Sequence, residues 1–260
     1  MWKDAGQRRH KHENSIPDFS YAITPFQAIE AGMDGLEHTE SVLPAFVPEG
    51  TAPPAEIPRL DKRDLLALQV DLSSVQSKDA LQFFAEHKIV LDPTLVTWDR
   101  YSYSDSAWAR KFQPGIAKMP AELSGPLKAF VLPPASAEVW QRAFDKQVQL
   151  VGALHKAGVI IVAGSDARIP GYELHRELEL LVKAGFTPME AIQSATIVPA
   201  RVMKLDNELG TIEPGKRADL IIVDGNPLEN MTFIRNVKLV IKDGRIYDSA
   251  ALWQSIGFAP

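Results

Sequence analysis

Apolar positions along the chain follow two different periods, and the change of period divides it. Thr24-Pro25-Phe26-Gln27 reads as a capping box, with Thr at N-cap, Pro at N1 and Gln at N3. Its helix runs through Ala28-Ile29-Glu30-Ala31 and stops at Gly32. Gly35-Leu36-Glu37-His38 follows as a short strand ending in a polar pair. A helix is predicted over 77–86, then a buried strand at 88–91 ended by Asp92-Pro93-Thr94. Between 137 and 156, Trp140, Phe144, Val148 and Val151 fall on one helical stripe. Gly158 ends that helix, and the β-branched run 159–162 suits a strand covered on both faces. Another helix begins near Tyr172, with Leu174, Leu178 and Leu181 on one side and Gly185 as its stop. Thr187-Pro188-Met189-Glu190 repeats the capping box.

Beyond about Gly210 the period shortens. The run 218–223 reads as a strand, Asp224-Gly225-Asn226-Pro227 as a turn, and 237–242 with 245–247 as a hairpin around Asp243-Gly244. Two stretches resist both periods. Residues 43–60 hold five prolines and read as a long extended loop, and 98–134 reads as an irregular, aromatic, partly helical insertion. The domain plan is therefore a polar tail at 1–15, an α/β body at 16–207 and a small β region at 208–250.

Composition narrows the function classes. Of 260 residues 45% are hydrophobic and 23% charged, as expected of a soluble globular chain and not a disordered one. No apolar run reaches the roughly 18 residues of a membrane helix. A net charge of −5 without a basic face argues against nucleic acid as a partner. With no Cys, neither a thiolate ligand nor a cysteine nucleophile is available. The start, MWKDAGQRRHKHENS, has no apolar core and reads as a poor signal peptide. An incomplete amino terminus would leave the compartment open.

Two strand ends carry polar groups. Glu37-His38 closes the first strand, and Gly164-Ser165-Asp166 follows the run 159–163. In parallel α/β folds such ends face the binding crevice. Singly, His38 as a satisfied loop histidine and Asp166 as a turn cap are even alternatives. On equivalent ends of two strands they look like metal ligands, imidazole and carboxylate being donors that zinc accepts.

Six blocks carry a family resemblance: AIEAGMDGLEH (28–38), LDPTL (91–95), HKAGVIIVAGSDA (155–167), ELELLVKAGFTPMEAIQSAT (177–196), ELGTIEPGKRADLIIVDGNPL (208–228) and VIKDGRIYD (240–248). From about 28 to 247 the chain resembles the carboxyl-terminal part of the amidohydrolase superfamily, in its prolidase and imidazolonepropionase-like branch. The resemblance implies an α/β fold: part of a (β/α)₈ barrel, about strands five or six to eight, followed by a small β-sandwich region. It implies that His38 is the metal ligand after strand six. Asp166 is then both ligand and catalytic proton acceptor after strand eight. The cofactor would be a divalent metal, zinc with one or two ions. The reaction would be hydrolysis of a C–N bond in an amide, cyclic amide or dipeptide-like small molecule. Thr94, Tyr101 and His175 are weaker candidates for the substrate pocket; His175 also reads as a surface histidine beside Glu179.

The rest of the family's ligand set has no clear counterpart. The only HxH is His10-Lys11-His12, just 26 residues before His38, where each βα step needs about 30. It reads as a solvated basic tail. The strand-five histidine position reads Asp18-Phe19-Ser20-Tyr21, where Asp18 could offer an oxygen ligand. An alternative follows: a truncated, inactive remnant that only folds or binds a partner. A part-barrel leaves open sheet edges, so homo-oligomer formation through them is expected.

Overall fold

The computed structural model describes residues 23–54, 62–99, 112, 118–120, 132–166 and 173–258. Helix α1 (Pro25–Glu30) opens on the expected capping box: Gln27 N–H donates to Thr24 Oγ1, and Thr24 N–H to the Gln27 side chain. Strand β1 (Gly35–Glu37) follows, then 3-10 turns at Thr39–Ser41, Leu43–Phe46 and Lys62–Gln69. Next come α2 (Val75–Glu86), β2 (Val90–Asp92), the short helix α3 (Leu95–Asp99), the long α4 (Pro134–Lys156) and β3 (Ile160–Ile161). Helices α5 (Glu173–Lys183), α6 (Pro188–Ser194) and α7 (Ile197–Val202) complete the α/β body.

Strands β1, β2 and β3 form a parallel sheet in sequence order, with Leu36 opposite Leu91 and Leu91 opposite Ile161. Among the described residues β1 and β3 are its edges. Trp140, Phe144, Val148 and Val151 of α4 are all buried, as their stripe predicts, and share one core with Phe84, Leu91 and Leu181. Burying so many large side chains supplies the main drive for this layer, at roughly 1.5–3 kcal/mol each.

Three expectations need correction. The proline-rich stretch is not simply extended loop: Leu43, Ala45, Phe46 and Val47 are core residues, and Pro44 sits in the first turn of a 3-10 helix. Proline there loses no needed N–H, so the turn forms and turns its apolar neighbours inward. The strand expected at 88–91 begins only at Val90, because Lys88 has a φ of 52°, which no strand accommodates. On α5, Leu178 and Leu181 are buried but Leu174 is 37% exposed, while Glu173 and Glu177 are turned inward.

The small β region is antiparallel, in the order β4 (Leu220–Val223), β5 (Val237–Lys242), β6 (Arg245–Asp248). Asp243 and Gly244 have φ of 49° and 75°, the doubly positive pair that a type I′ hairpin requires. Helix α8 (Ser249–Ser255) is capped by Asp248, whose carboxylate accepts Ala251 N–H at 2.8 Å. A 3-10 turn at Met231–Arg235 joins this region to the body: Met231 and Ile234 lie in the common core. Ile221, Ile222 and Ile246 remain exposed. No helix of the described residues is long and apolar enough to cross a membrane.

Candidate functional site

The carboxyl ends of β1, β2 and β3 are neighbours because the strands pair in register. His38 N–H donates to Asp92 C=O at 2.7 Å, extending the β1–β2 ladder by one residue. Val162 N–H donates to Leu91 C=O at 3.0 Å and does the same for β2 and β3. Each chain then leaves its strand through a left-handed residue: His38 (φ 66°), Thr94 (φ 45°) and Asp166 (φ 43°). Non-glycine residues adopt this conformation rarely and at a cost, and such strain gathers at functional sites.

Of the residues singled out in the sequence, the structure brings His38 and Thr94 together. Both are buried, and His38 Nδ1 is hydrogen-bonded to Thr94 Oγ1. That occupies one ring nitrogen and leaves Nε2 as the remaining donor site. The Trp98 ring and the imidazole meet edge to face, with centroids 6.3 Å apart. Asp166 is exposed, one residue past Ser165, whose C=O accepts a 2.8 Å bond from Thr97 Oγ1. His175 does not join them: it is partly buried on α5, and its electrostatic neighbours are Arg235 and Glu179. Burial, reinforced by the Arg235 cation, lowers its pKa to about 4, so it is neutral at pH 7. Tyr101, His10, His12 and Asp18 lie outside the described residues, as does most of the segment 98–134.

Two carboxyls that the sequence reading passed over define the site's electrostatics. Asp92 ends β2 between the strands leading to His38 and Asp166. Its Oδ1 is buried without a hydrogen-bond partner among the described residues, and Oδ2 lies against Gly164. Burial pushes its pKa up to about 6, with the Glu37 carboxylate adding to this and the Thr94 amide opposing it. Glu177, on α5, is fully buried. Its Oε1 accepts Leu95 N–H at 3.1 Å and its Oε2 accepts Val96 N–H at 2.7 Å, satisfying two first-turn amides of α3. Burial outweighs those two bonds and raises its pKa to about 8. Next to it, Arg176 grips Asp99 at the other end of α3 through two bonds of 2.9 and 3.2 Å. Arg176 also reaches Glu179 at 3.0 Å, and Glu179 is paired with Arg235 at 2.7 Å.

The donor types at these strand ends, imidazole and carboxylate, suit a divalent cation such as zinc. The orphaned Asp92 Oδ1 marks the same end of the sheet as needing a positive or donating partner. Among the described residues, however, no three His, Asp or Glu side chains converge on one point.

Comparison with known proteins identifies the family. Ochratoxinase of Aspergillus niger is 31% identical over 122 residues, 46% of this chain and 25% of that protein. Imidazolonepropionase of Geobacillus kaustophilus is 33% identical over 106 residues, 35% of this chain and 25% of that protein. A Xaa-Pro dipeptidase crystallised with methionine in its active site superimposes with a TM-score of 0.53 at 25% identity, covering 86% of this chain and 42% of that one. The chain thus spans less than half the length of these relatives. A model of the amidohydrolase family matches residues 69–247, from the end of the last 3-10 turn before α2, through β2 and β3, to β6. That match covers most of the chain and takes in two of the three strand ends described above, and on it the chain belongs to the amidohydrolase family.

Proposed function

We propose that this chain supplies the carboxyl-terminal strands, about five or six to eight, of a (β/α)₈ metal-dependent hydrolase, with β4–β6 part of its small β-sandwich. The substrate is a small molecule with an amide, cyclic amide or dipeptide-like C–N bond. The observation that carries this reading is the ordered end of the parallel sheet, where His38, its Nδ1 engaged by Thr94, is two strands from the segment that delivers Asp166. His38 Nε2 and an Asp166 oxygen would hold the ion, zinc in first place, with one or two ions. The remaining donors would come from outside the described residues.

When bound, the cation supplies Lewis acidity, bringing the pKa of water toward neutrality and polarising a carbonyl. The chain's own residues do the rest. Asp166, exposed at its strand end, takes the proton of the attacking water and returns it to the leaving nitrogen. The protonated nitrogen departs as a neutral amine, and the carbonyl side becomes a carboxylic acid. Thr94 fixes the His38 ring, and the Trp98 ring packs beside it. A second copy pairing along β1 or β3 would cover one of the open sheet edges.

Elemental analysis of the purified chain tests this directly. Zinc or manganese bound in stoichiometric amount, and lost in His38→Ala and Asp166→Asn, is the expected result. A folded chain that takes up no divalent metal and cleaves none of a panel of amides, cyclic amides and dipeptides would refute it.

A further inference from the structure

Helix α3 is only five residues long, yet four hydrogen bonds from two adjacent residues of α5 fix it. Glu177 holds its first amides, at Leu95 and Val96, and Arg176 holds Asp99 at its last residue. Between these anchors α3 reaches both candidate loops. Thr94, immediately before it, bonds the His38 ring, and Thr97 bonds the carbonyl of Ser165, the residue before Asp166. A helix this short has no intrinsic persistence in water, since nucleation costs more than so few internal bonds return. Its position is therefore set by what clamps it.

We infer that Glu177 is a positioning residue for the candidate centre, holding the Thr94–Leu95–Val96 backbone so that Thr94 Oγ1 takes the Nδ1–H of His38 and leaves Nε2 bare. The inference rests on the reading of His38 as a metal ligand, and it names what keeps that ligand in the right tautomer. Both carboxyl oxygens are needed. Each accepts one of two successive N–H groups, and neither amide can swing away without dragging Thr94 from its left-handed conformation. Glutamine is the informative replacement. It keeps length and shape but sets an NH₂ donor against one of the two N–H donors, so one bond becomes a repulsion. Orienting contacts of this kind behind a metal-binding histidine typically change affinity by about 10–100-fold.

The test uses the full chain with ¹⁵N-labelled histidine and no metal, followed by zinc titration. In the unsubstituted chain the two ring nitrogens of His38 should give the widely separated signals of a single Nδ1–H tautomer. In Glu177→Gln they should draw together, and the zinc Kd should rise about tenfold or more. Phe84→Leu, a core change on α2 away from the clamp, provides a matched loss of stability. Should Glu177→Gln lower Tm as Phe84→Leu does, with His38 signals and zinc Kd unmoved, Glu177 is only structural and the inference fails. Thr94→Val keeps the volume and removes the hydroxyl, so it tests the same relay if Glu177→Gln does not fold. Unaltered His38 signals in Thr94→Val would equally overturn the inference. If the unsubstituted chain takes no zinc, the metal reading falls, while the tautomer comparison still decides the role of Glu177.

Discussion

The carboxylate of Asp92 occupies the space that a side chain at residue 164 would need: a Cβ on Gly164 would stand 1.8 Å from Asp92 Oδ2. Gly164 does not have a positive φ, so the constraint is steric and not conformational. Gly→Ala at an uncrowded site usually stabilises by about 0.4–1 kcal/mol. Here the sign reverses. Gly164→Ala should destabilise by about 1–3 kcal/mol, as overpacking does, and displace either Asp92 or the segment leading to Asp166. Urea denaturation measures the loss, and combining it with Asp92→Gly should recover most of it, since the two sites are coupled.

Asp92→Asn should tell whether the carboxyl at the end of β2 stabilises the fold or strains it. Its pKa of about 6, against an ordinary 3.8, means that burial costs the ionised form more than the nearby amides return. The neutral amide avoids that cost. At pH 7.5 Asp92→Asn should equal or exceed the unsubstituted chain in stability, while at pH 4 the difference should vanish or reverse. Chemical denaturation at the two pH values decides.

Stability should fall as pH rises from 6.5 to 8, with Glu177 as the cause. Its pKa is about 8 in the fold against 4.5 when exposed, so the unfolded chain releases the proton first and the contribution is lost as pH climbs toward 8. Asp92 behaves alike between 3.8 and about 6. His175 has the opposite sign: lowered from 6.5 to about 4, it contributes fully above 6.5, and that contribution is lost as pH falls toward 4. Of these three groups only Glu177 titrates differentially above 6.5. The slope there should reach at most about 1.4 kcal/mol per pH unit. In Glu177→Gln it should flatten, whatever that variant does to overall stability.

Replacing Arg176 with Met should cost about 3–5 kcal/mol, because it removes a charged partner that makes two bonds to the buried Asp99 carboxylate. A surface ion pair such as Lys183–Asp145, at 2.6 Å but half exposed, should contribute less than about 1 kcal/mol when Lys183 is changed to Met. Guanidinium denaturation of the two variants, side by side, checks the contrast.

Gly152→Ala offers a control remote from the strand ends. A Cβ there would lie 2.0 Å from the C=O of Ala184, where α4 crosses the end of α5. Alanine is favoured over glycine inside an ordinary helix by about 1 kcal/mol. At this crossing the backbone approach should override that preference and lower Tm, leaving the zinc Kd unchanged.

What the sequence disclosed was local chemistry. Both capping boxes, at Thr24–Gln27 and Thr187–Glu190, form as the residue types require, since each closes within one helical turn. The hairpin at Asp243-Gly244 was legible for the same reason. His38 was singled out because it ends a strand, but its partner Thr94 is 56 residues away, and no spacing rule couples them. Glu177 was hidden more deeply. In the run Glu173-Leu174-His175-Arg176-Glu177 a carboxylate looks like part of a solvated face. Only the unsatisfied amides of Leu95 and Val96, 82 and 81 residues earlier, explain why it is buried. The core residues at 42–47 were obscured by Pro44 and the prolines that follow at 48–58, which suggest extension wherever the turn type is not known in advance.

Four charged side chains, Arg235, Glu179, Arg176 and Asp99, run in series from the small antiparallel region to the helix beside His38. Met231 and Ile234 press into the same core as the parallel sheet. A segment without candidate chemistry thereby acts as a strut. Loosening residues 231–235 would slacken the clamp on α3 from behind, so a lesion there should reach the candidate centre as well as the core beneath the sheet.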